Sequence, residues 1–136
     1  MREVSKVGES AESVVRGFLA AWPRWSVDEL TGYFTEDAVW TDGHSEPYSG
    51  IAAIETQLQK IGQLVPSTTV EITNLLSSRR IVMVERTDIF DFKGCAFNVE
   101  VTGVLEVNGD GRITRWRDYY DSRLLESRVT ELLSQP

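Results

Sequence analysis

Only one cysteine, Cys95, and one histidine, His44, occur among the 136 residues. A lone cysteine excludes an intramolecular disulfide and any site built on several thiolates, and nothing in the composition calls for an oxidising compartment. With one histidine and no carboxylate cluster at ligand spacing, no metal is expected. Positive charge is also scarce: 14 Lys and Arg stand against 21 Asp and Glu, a formal net charge of -7. Such a balance argues against nucleic acid and against an anionic membrane surface, both of which attract basic faces. No run of about 18 apolar residues and no basic-then-apolar leader is present, so the expectation is a soluble cytoplasmic protein whose ligand is small and neutral. Prolines number only 4, and no linker, repeat or low-complexity stretch divides the chain. A single domain over 1–136 is expected, long enough to bury roughly two thirds of its unfolded surface around an internal cavity.

What is present is periodicity. From Ala11 the apolar residues Val14, Val15, Phe18, Leu19 and Trp22 recur at spacings of three and four, predicting a packing helix that ends near Pro23. Ser26 and Glu29 have the spacing of a capping box, so a short second helix with Val27, Leu30 and Phe34 on one stripe should form a hairpin with the first. A short strand is expected over 38–42, with Trp40 and Asp42 on one face, then a loop over 43–50. Ile51, Ile54, Leu58 and Ile61 predict a third helix, stopped by Gly62 and by Pro66 beyond it. Then the period changes to two. Four β-rich runs, 68–76, 80–92, 96–107 and 112–121, are separated by turn signals at 77–79, 93–94 and 108–111, which predicts an antiparallel meander. Ser122 can cap a closing helix carrying Leu124, Leu125, Val129, Leu132 and Leu133. Helices first and strands after make an α+β domain, in which the N-terminal helices cover the concave face of a curved antiparallel sheet.

The residues that suggest chemistry lie on two of those strands. Over 82–91, Val82, Val84, Arg86, Asp88 and Phe90 share one side, and that side is apolar enough to face the core. A buried charge is costly unless paired, so Arg86 and Asp88 are either a structural ion pair or a polar device at the bottom of a pocket. On the last run Trp116, Asp118 and Tyr120 share a face and bring a second carboxylate between two aromatics. The expected walls of the cavity are Val82, Val84, Phe90, Phe97, Val99, Trp116 and Tyr120, which suit a small apolar molecule of terpene or polyketide-fragment size. The remaining candidates read more plainly. His44 sits in a polar loop, Cys95 after a hairpin glycine is a small semi-buried thiol, and Trp22, Trp25 and Trp116 are core or cavity wall rather than a stacking platform for bases.

Taken together, Glu85-Arg86-Thr87-Asp88, the strand GVLEV at 103–107 and GRITRWRDYYD at 111–121 resemble the limonene-1,2-epoxide hydrolase family, over about 11–125. That family belongs to the cone-shaped group with nuclear transport factor 2, ketosteroid isomerase and the SnoaL-like polyketide cyclases. The resemblance implies a one-step, cofactor-free epoxide hydrolysis: Asp88 protonates the epoxide oxygen, Asp118 takes a proton from water, and Arg86 bridges them. Residue chemistry is consistent with those roles. Burial and a second carboxylate raise an Asp, an arginine lowers it, and the set titrates as a unit. At an effective dielectric of about 20, charges about 4 Å apart interact by roughly 4 kcal/mol, enough for Arg86 to hold one carboxylate ionised while the other keeps a proton.

The chain departs from the family where the attacking water is held. A tyrosine and an asparagine two residues apart are replaced by Trp40 and Asp42. An indole N–H donates but cannot accept, so Trp40 can bind a water oxygen only, whereas Asp42 is a strong acceptor that either orients water or acts as a base. Three classes stay open: an epoxide hydrolase or its cyclising relative; an isomerase or cyclase in which Asp42 or Asp118 abstracts a proton beside a carbonyl; and a non-catalytic binding module. A homodimer over the open face of the sheet is expected.

Overall fold

The spacing read above produces helices and strands largely where it predicts them. The structure, a computed structural model, describes residues 10–65, 67–92 and 94–134. Met1 to Glu9, Pro66 and Lys93 lie outside the described residues, as do 135 and 136. Helix α1 (Ala11–Ala20) is capped by the Ser10 hydroxyl, which accepts from Ser13 N–H at 3.1 Å. It ends two residues short of Trp22, and Trp22–Arg24 form a 3-10 turn around Pro23, whose missing N–H suits a helix start rather than an interior. Helix α2 (Val27–Thr31) is capped by Ser26, which accepts from Glu29 N–H at 3.2 Å. The reciprocal half of the capping box is replaced: the Glu29 carboxylate turns to Arg24. This short helix packs mainly on α3 (Ile51–Leu64) rather than closing a hairpin with α1.

Six strands follow and intersperse: β1 (Phe34–Asp42), β2 (Tyr48–Ser49), β3 (Ser67–Ser78), β4 (Ile81–Phe92), β5 (Cys95–Val107) and β6 (Ile113–Tyr120), closed by α4 (Ser122–Leu133). Their order in the sheet is β2-β1-β6-β5-β4-β3. Strands β3 to β6 form the expected antiparallel meander. The sheet as a whole is mixed, because β1 lies parallel to β6, with Trp40 opposite Trp116 and Asp42 opposite Asp118. Local patterning carries no signal for that pairing, since the two strands are far apart in sequence. Part of the 43–50 loop also joins the sheet as β2, antiparallel to β1. Three boundaries move, the first being that of β1, which starts at Phe34 rather than at 38 and so takes Phe34 out of the second helix. Strand β3 runs on through Ser78 and the reversal is made by Arg79 and Arg80, while α3 continues past Gly62 to Leu64. Gly62 is not a stop signal but a packing surface: a methyl group there would lie 2.7 Å from the Trp25 ring, whose Nε1 donates to the Leu58 carbonyl at 3.0 Å.

Burial along β4 alternates as a half-buried strand should, with Val82, Val84, Arg86 and Asp88 inside and Met83 and Glu85 outside. Two apolar clusters sit on the inner face. The larger centres on Phe18 of α1, whose ring meets Trp22, Tyr33, Phe34 and Trp116 edge-on at centroid distances of 5.1 to 5.8 Å. The smaller gathers Val65, Phe97, Val99, Val101 and Leu132, with Leu125 and Val129 of α4 against it. No helix among the described residues is long and apolar enough to cross a membrane.

Candidate active site

The cavity opens between the two clusters and has a volume of about 230 Å³. Its walls come from both, and from α3 and α4, while carboxylates of β1, β4 and β6 reach it from the sheet. At its floor the strand periodicity delivers Arg86 and Asp88 to the same inner face. Arg86 Nε donates to Asp88 Oδ1 at 2.8 Å and Nη2 to Asp88 Oδ2 at 3.1 Å, a two-pronged contact. From the other side Nη1 donates to Asp118 Oδ1 at 3.0 Å and Nη2 to Asp118 Oδ2 at 2.7 Å. One guanidinium therefore holds two carboxylates, and its side chain is fully buried. The Trp22 ring lies 5.0 Å from Arg86 Cζ and supplies a cation–π face to the buried charge.

Strand β5 lies between Arg86 on β4 and Asp118 on β6, so the guanidinium must cross it. The residue under the crossing is Gly103, which pairs with Val84 on one side and Asp118 on the other. A methyl group on Gly103 would sit 2.7 Å from Arg86 Nη1 and 2.8 Å from Asp118 Oδ1. Only glycine leaves the bridge room. Asp118 receives a third donor, Trp116 Nε1 at 2.9 Å, and the Trp116 ring is itself fixed by a flat stack on Trp40 with centroids 4.1 Å apart. That stack follows from the parallel register of β1 and β6. Trp40 Nε1 and Trp22 Nε1 have no hydrogen-bond partner among the described residues.

Burial raises both Asp88 and Asp42, against different opposing partners. Burial raises the Asp88 carboxyl above the usual range although Arg86 works against it, and the nearby Asp118 adds to the rise. Burial opposes the charge on Arg86, but Asp118 and Asp88 more than offset it and hold its proton more tightly than usual. Asp42 shares no hydrogen bond with the guanidinium and is pushed up to about 6, chiefly by burial, with the Tyr120 hydroxyl as the main opposing influence. Tyr120 in turn is raised by burial and by Asp42.

Of the residues singled out in the sequence, Trp40, Asp42, Asp88, Phe90, Phe97, Val99, Trp116, Asp118 and Tyr120 all line this cavity. Arg86 stands behind its two carboxylates. Val82 and Val84 do not line it: they point the same way as Arg86 but lie further along the strand, packed in the larger core. Trp22 and Trp25 line it too, as expected, while Gln57, Ile61 and Leu64 of α3, Leu125 and Val129 of α4, and Val65 and Val101 are wall residues beyond those expected. For Gly103 a signal existed, a lone glycine inside an otherwise regular strand, which marks a close approach. His44 is exposed, 3.9 Å from Glu126, and Cys95 is exposed rather than semi-buried because it opens β5 at the rim of its hairpin. Among the described residues no three His, Cys, Asp or Glu side chains converge as metal ligands.

Comparison with known proteins agrees with this fold. The family model described as SnoaL-like domain matches residues 15–116. An LEH-like epoxide hydrolase from M. tuberculosis is 28% identical, with 92% of this chain and 96% of that one covered at a TM-score of 0.74. At 16% identity, the epoxide hydrolase/cyclase-like enzyme SalBIII, with a role in pyran ring formation in the polyether salinomycin, covers 90% of this chain and 96% of its own at 0.75. A hypothetical protein with a ketosteroid isomerase-like fold from Catenulispora acidiphila is 23% identical over 79% and 85% of the two chains, at 0.71. The last two share the fold.

Proposed function

Because the chain belongs to the SnoaL-like domain family, we propose that it is a cofactor-free enzyme that opens a small apolar epoxide by acid- and base-assisted attack of water. The observation that carries the reading is the Asp88–Arg86–Asp118 bridge at the floor of an apolar cavity. A purely structural ion pair would be sealed in the core, whereas both carboxylates here line the cavity. An epoxide carbon yields to a weak nucleophile only when its oxygen receives a proton or a strong hydrogen bond. Asp88, whose carboxyl burial raises above the ordinary range, is the acid. Asp118, held by two guanidinium N–H groups and the Trp116 indole, is the base.

In the reaction, the water oxygen forms a bond to one ring carbon as the C–O bond breaks. The Asp88 proton goes to the leaving oxygen, and Asp118 takes one proton from the water. Product is a vicinal diol, and exchange with solvent returns both carboxyl groups to their starting states. Asp42 orients the water. If the substrate carries its own hydroxyl, the same set closes a cyclic ether instead.

Asp42 also supports a second reading. A carboxylate near 6 outside the arginine's grip suits abstraction of a proton beside a carbonyl, as in an isomerase or cyclase. Incubating purified protein with a panel of epoxides and enolisable ketones, with diol, cyclic ether and enone separated by mass, decides between them. Diol or cyclic ether supports the proposal, and enone alone favours the second reading. A homodimer is part of the proposal: Leu76, Ile81, Met83 and Tyr119 are exposed together on the outer sheet face, where a twofold partner would cover them.

A further inference from the structure

Asp42 is the cavity carboxylate that Arg86 does not hold, and a separate arrangement surrounds it. The parallel register sets Asp42 beside Asp118. Two residues on, β6 presents Tyr120 on the same face, but β1 has no residue to lay opposite it. Instead Gly43 turns away with φ of +60° and gives its N–H to the Asp118 carbonyl at 2.9 Å, while Ser45 N–H closes the turn onto the Asp42 carbonyl at 3.1 Å. The turn wraps the tyrosine. A methyl group on Gly43 would lie 3.2 Å from the Tyr120 oxygen, 3.1 Å from its Cζ and 2.9 Å from Ser122 Oγ. Both the left-handed backbone and the close approach demand glycine there. The Tyr120 hydroxyl is thus pinned against the turn that Asp42 begins, and it is the hydrogen-bond partner of the Asp42 carboxyl.

We propose that Tyr120 is a positioning residue for the nucleophile: its hydroxyl donates to one oxygen of Asp42 and so aims the other at the water, or substrate hydroxyl, that attacks between Asp42 and Asp118. This inference rests on the epoxide-opening reading and gives the cavity two independent devices, the arginine-held pair that activates and the tyrosine-held carboxylate that aims. The groups facing Asp42 are Tyr120 and Asp118 from β6, Arg86 and Asp88 from β4, and Tyr48 from β2. Asp118 and Asp88 oppose its ionisation, while the Tyr120 hydroxyl and Arg86 favour it. Loss of the hydroxyl therefore leaves Asp42 harder to ionise and free to rotate.

The test compares wild type, Tyr120→Phe and Gly43→Ala, the last displacing the hydroxyl without removing it. Asp carboxyl carbons are followed by NMR through a pH titration, the Asp42 signal being identified by its absence in Asp42→Asn, and kcat and KM are measured against pH on an epoxide that wild type converts. A hydrogen bond to a charged group is of a size to move the Asp42 titration upward by about one unit in Tyr120→Phe. The acid limb of kcat should move with it, and above that limb kcat should still fall about tenfold at nearly constant KM, because aim is lost as well as charge. Gly43→Ala should shift both in the same direction. An Asp42 titration unchanged in Tyr120→Phe overturns the proposal, and so does a shifted titration with kcat unaffected above the limb. If wild type converts no epoxide, it is the epoxide reading that fails, and the titration alone decides whether Tyr120 governs Asp42.

Discussion

Arg86 is the residue on which the site depends, and its environment dictates which substitutions are informative. Removing one member of a buried ion pair outright costs about 3–5 kcal/mol, since the partner is left charged and uncompensated, so truncation to alanine would mix unfolding with loss of chemistry. Shape-preserving changes avoid this. Asp88→Asn keeps the shape and one of the two acceptors facing Arg86 but has no carboxylic proton to give; kcat on a verified epoxide should fall by about 10² to 10⁴ while the protein stays folded. Arg86→Lys should lose most activity too, because an ammonium cannot fork to two carboxylates. Gly103→Ala tests the bridge from a residue that touches no substrate. Its methyl group must push Arg86 or Asp118 aside, so stability should drop by about 1–3 kcal/mol and kcat should fall more than KM rises.

The pH dependence follows from the same residues. In the proposed reaction Asp42 acts as carboxylate, so activity should rise through its titration at about 6. Arg86 and Asp88 were legible from sequence because strand alternation alone puts both on a buried face. The role of Gly103 was not, because it depends on which residues of β4 and β6 flank it, and that register is set by the whole sheet.

At the scale of elements, the meander and the helices follow from periodicity, since each strand pairs with its sequence neighbour. The β1–β6 pairing escapes such reading, yet it is what stacks Trp40 on Trp116 and brings Asp42 beside Asp118. Helix α4 closes the cavity with Leu125 and Val129, and its cap is Asp121, whose side chain accepts from Leu124 N–H at 3.1 Å. Ser122, expected to cap it, is instead its first residue, because β6 ends at Tyr120 and leaves Asp121 in extended backbone. Asp121→Ala should cost about 1 kcal/mol of stability by thermal melting. Because the helix frays over the cavity mouth, KM should rise while kcat changes little. An unchanged KM with the expected loss of stability would remove α4 from substrate binding.

Across the whole molecule, one acidic chain folds two apolar clusters around a cavity that carries its own internal charge balance. The net charge of -7 argues against an anionic partner, and the apolar side chains that line most of the cavity suit a small apolar molecule. The central claim is that water, not a carboxylate, attacks the epoxide: Arg86 engages both oxygens of Asp88 and of Asp118, and Asp42, tied to the Tyr120 hydroxyl, orients the water rather than attacking. A single turnover in oxygen-18 water, with enzyme in excess over a verified epoxide substrate, tests this most directly. The account predicts that the first diol released carries the label. Unlabelled diol from that first turnover would mean an ester formed on a carboxylate of the enzyme, and would contradict it.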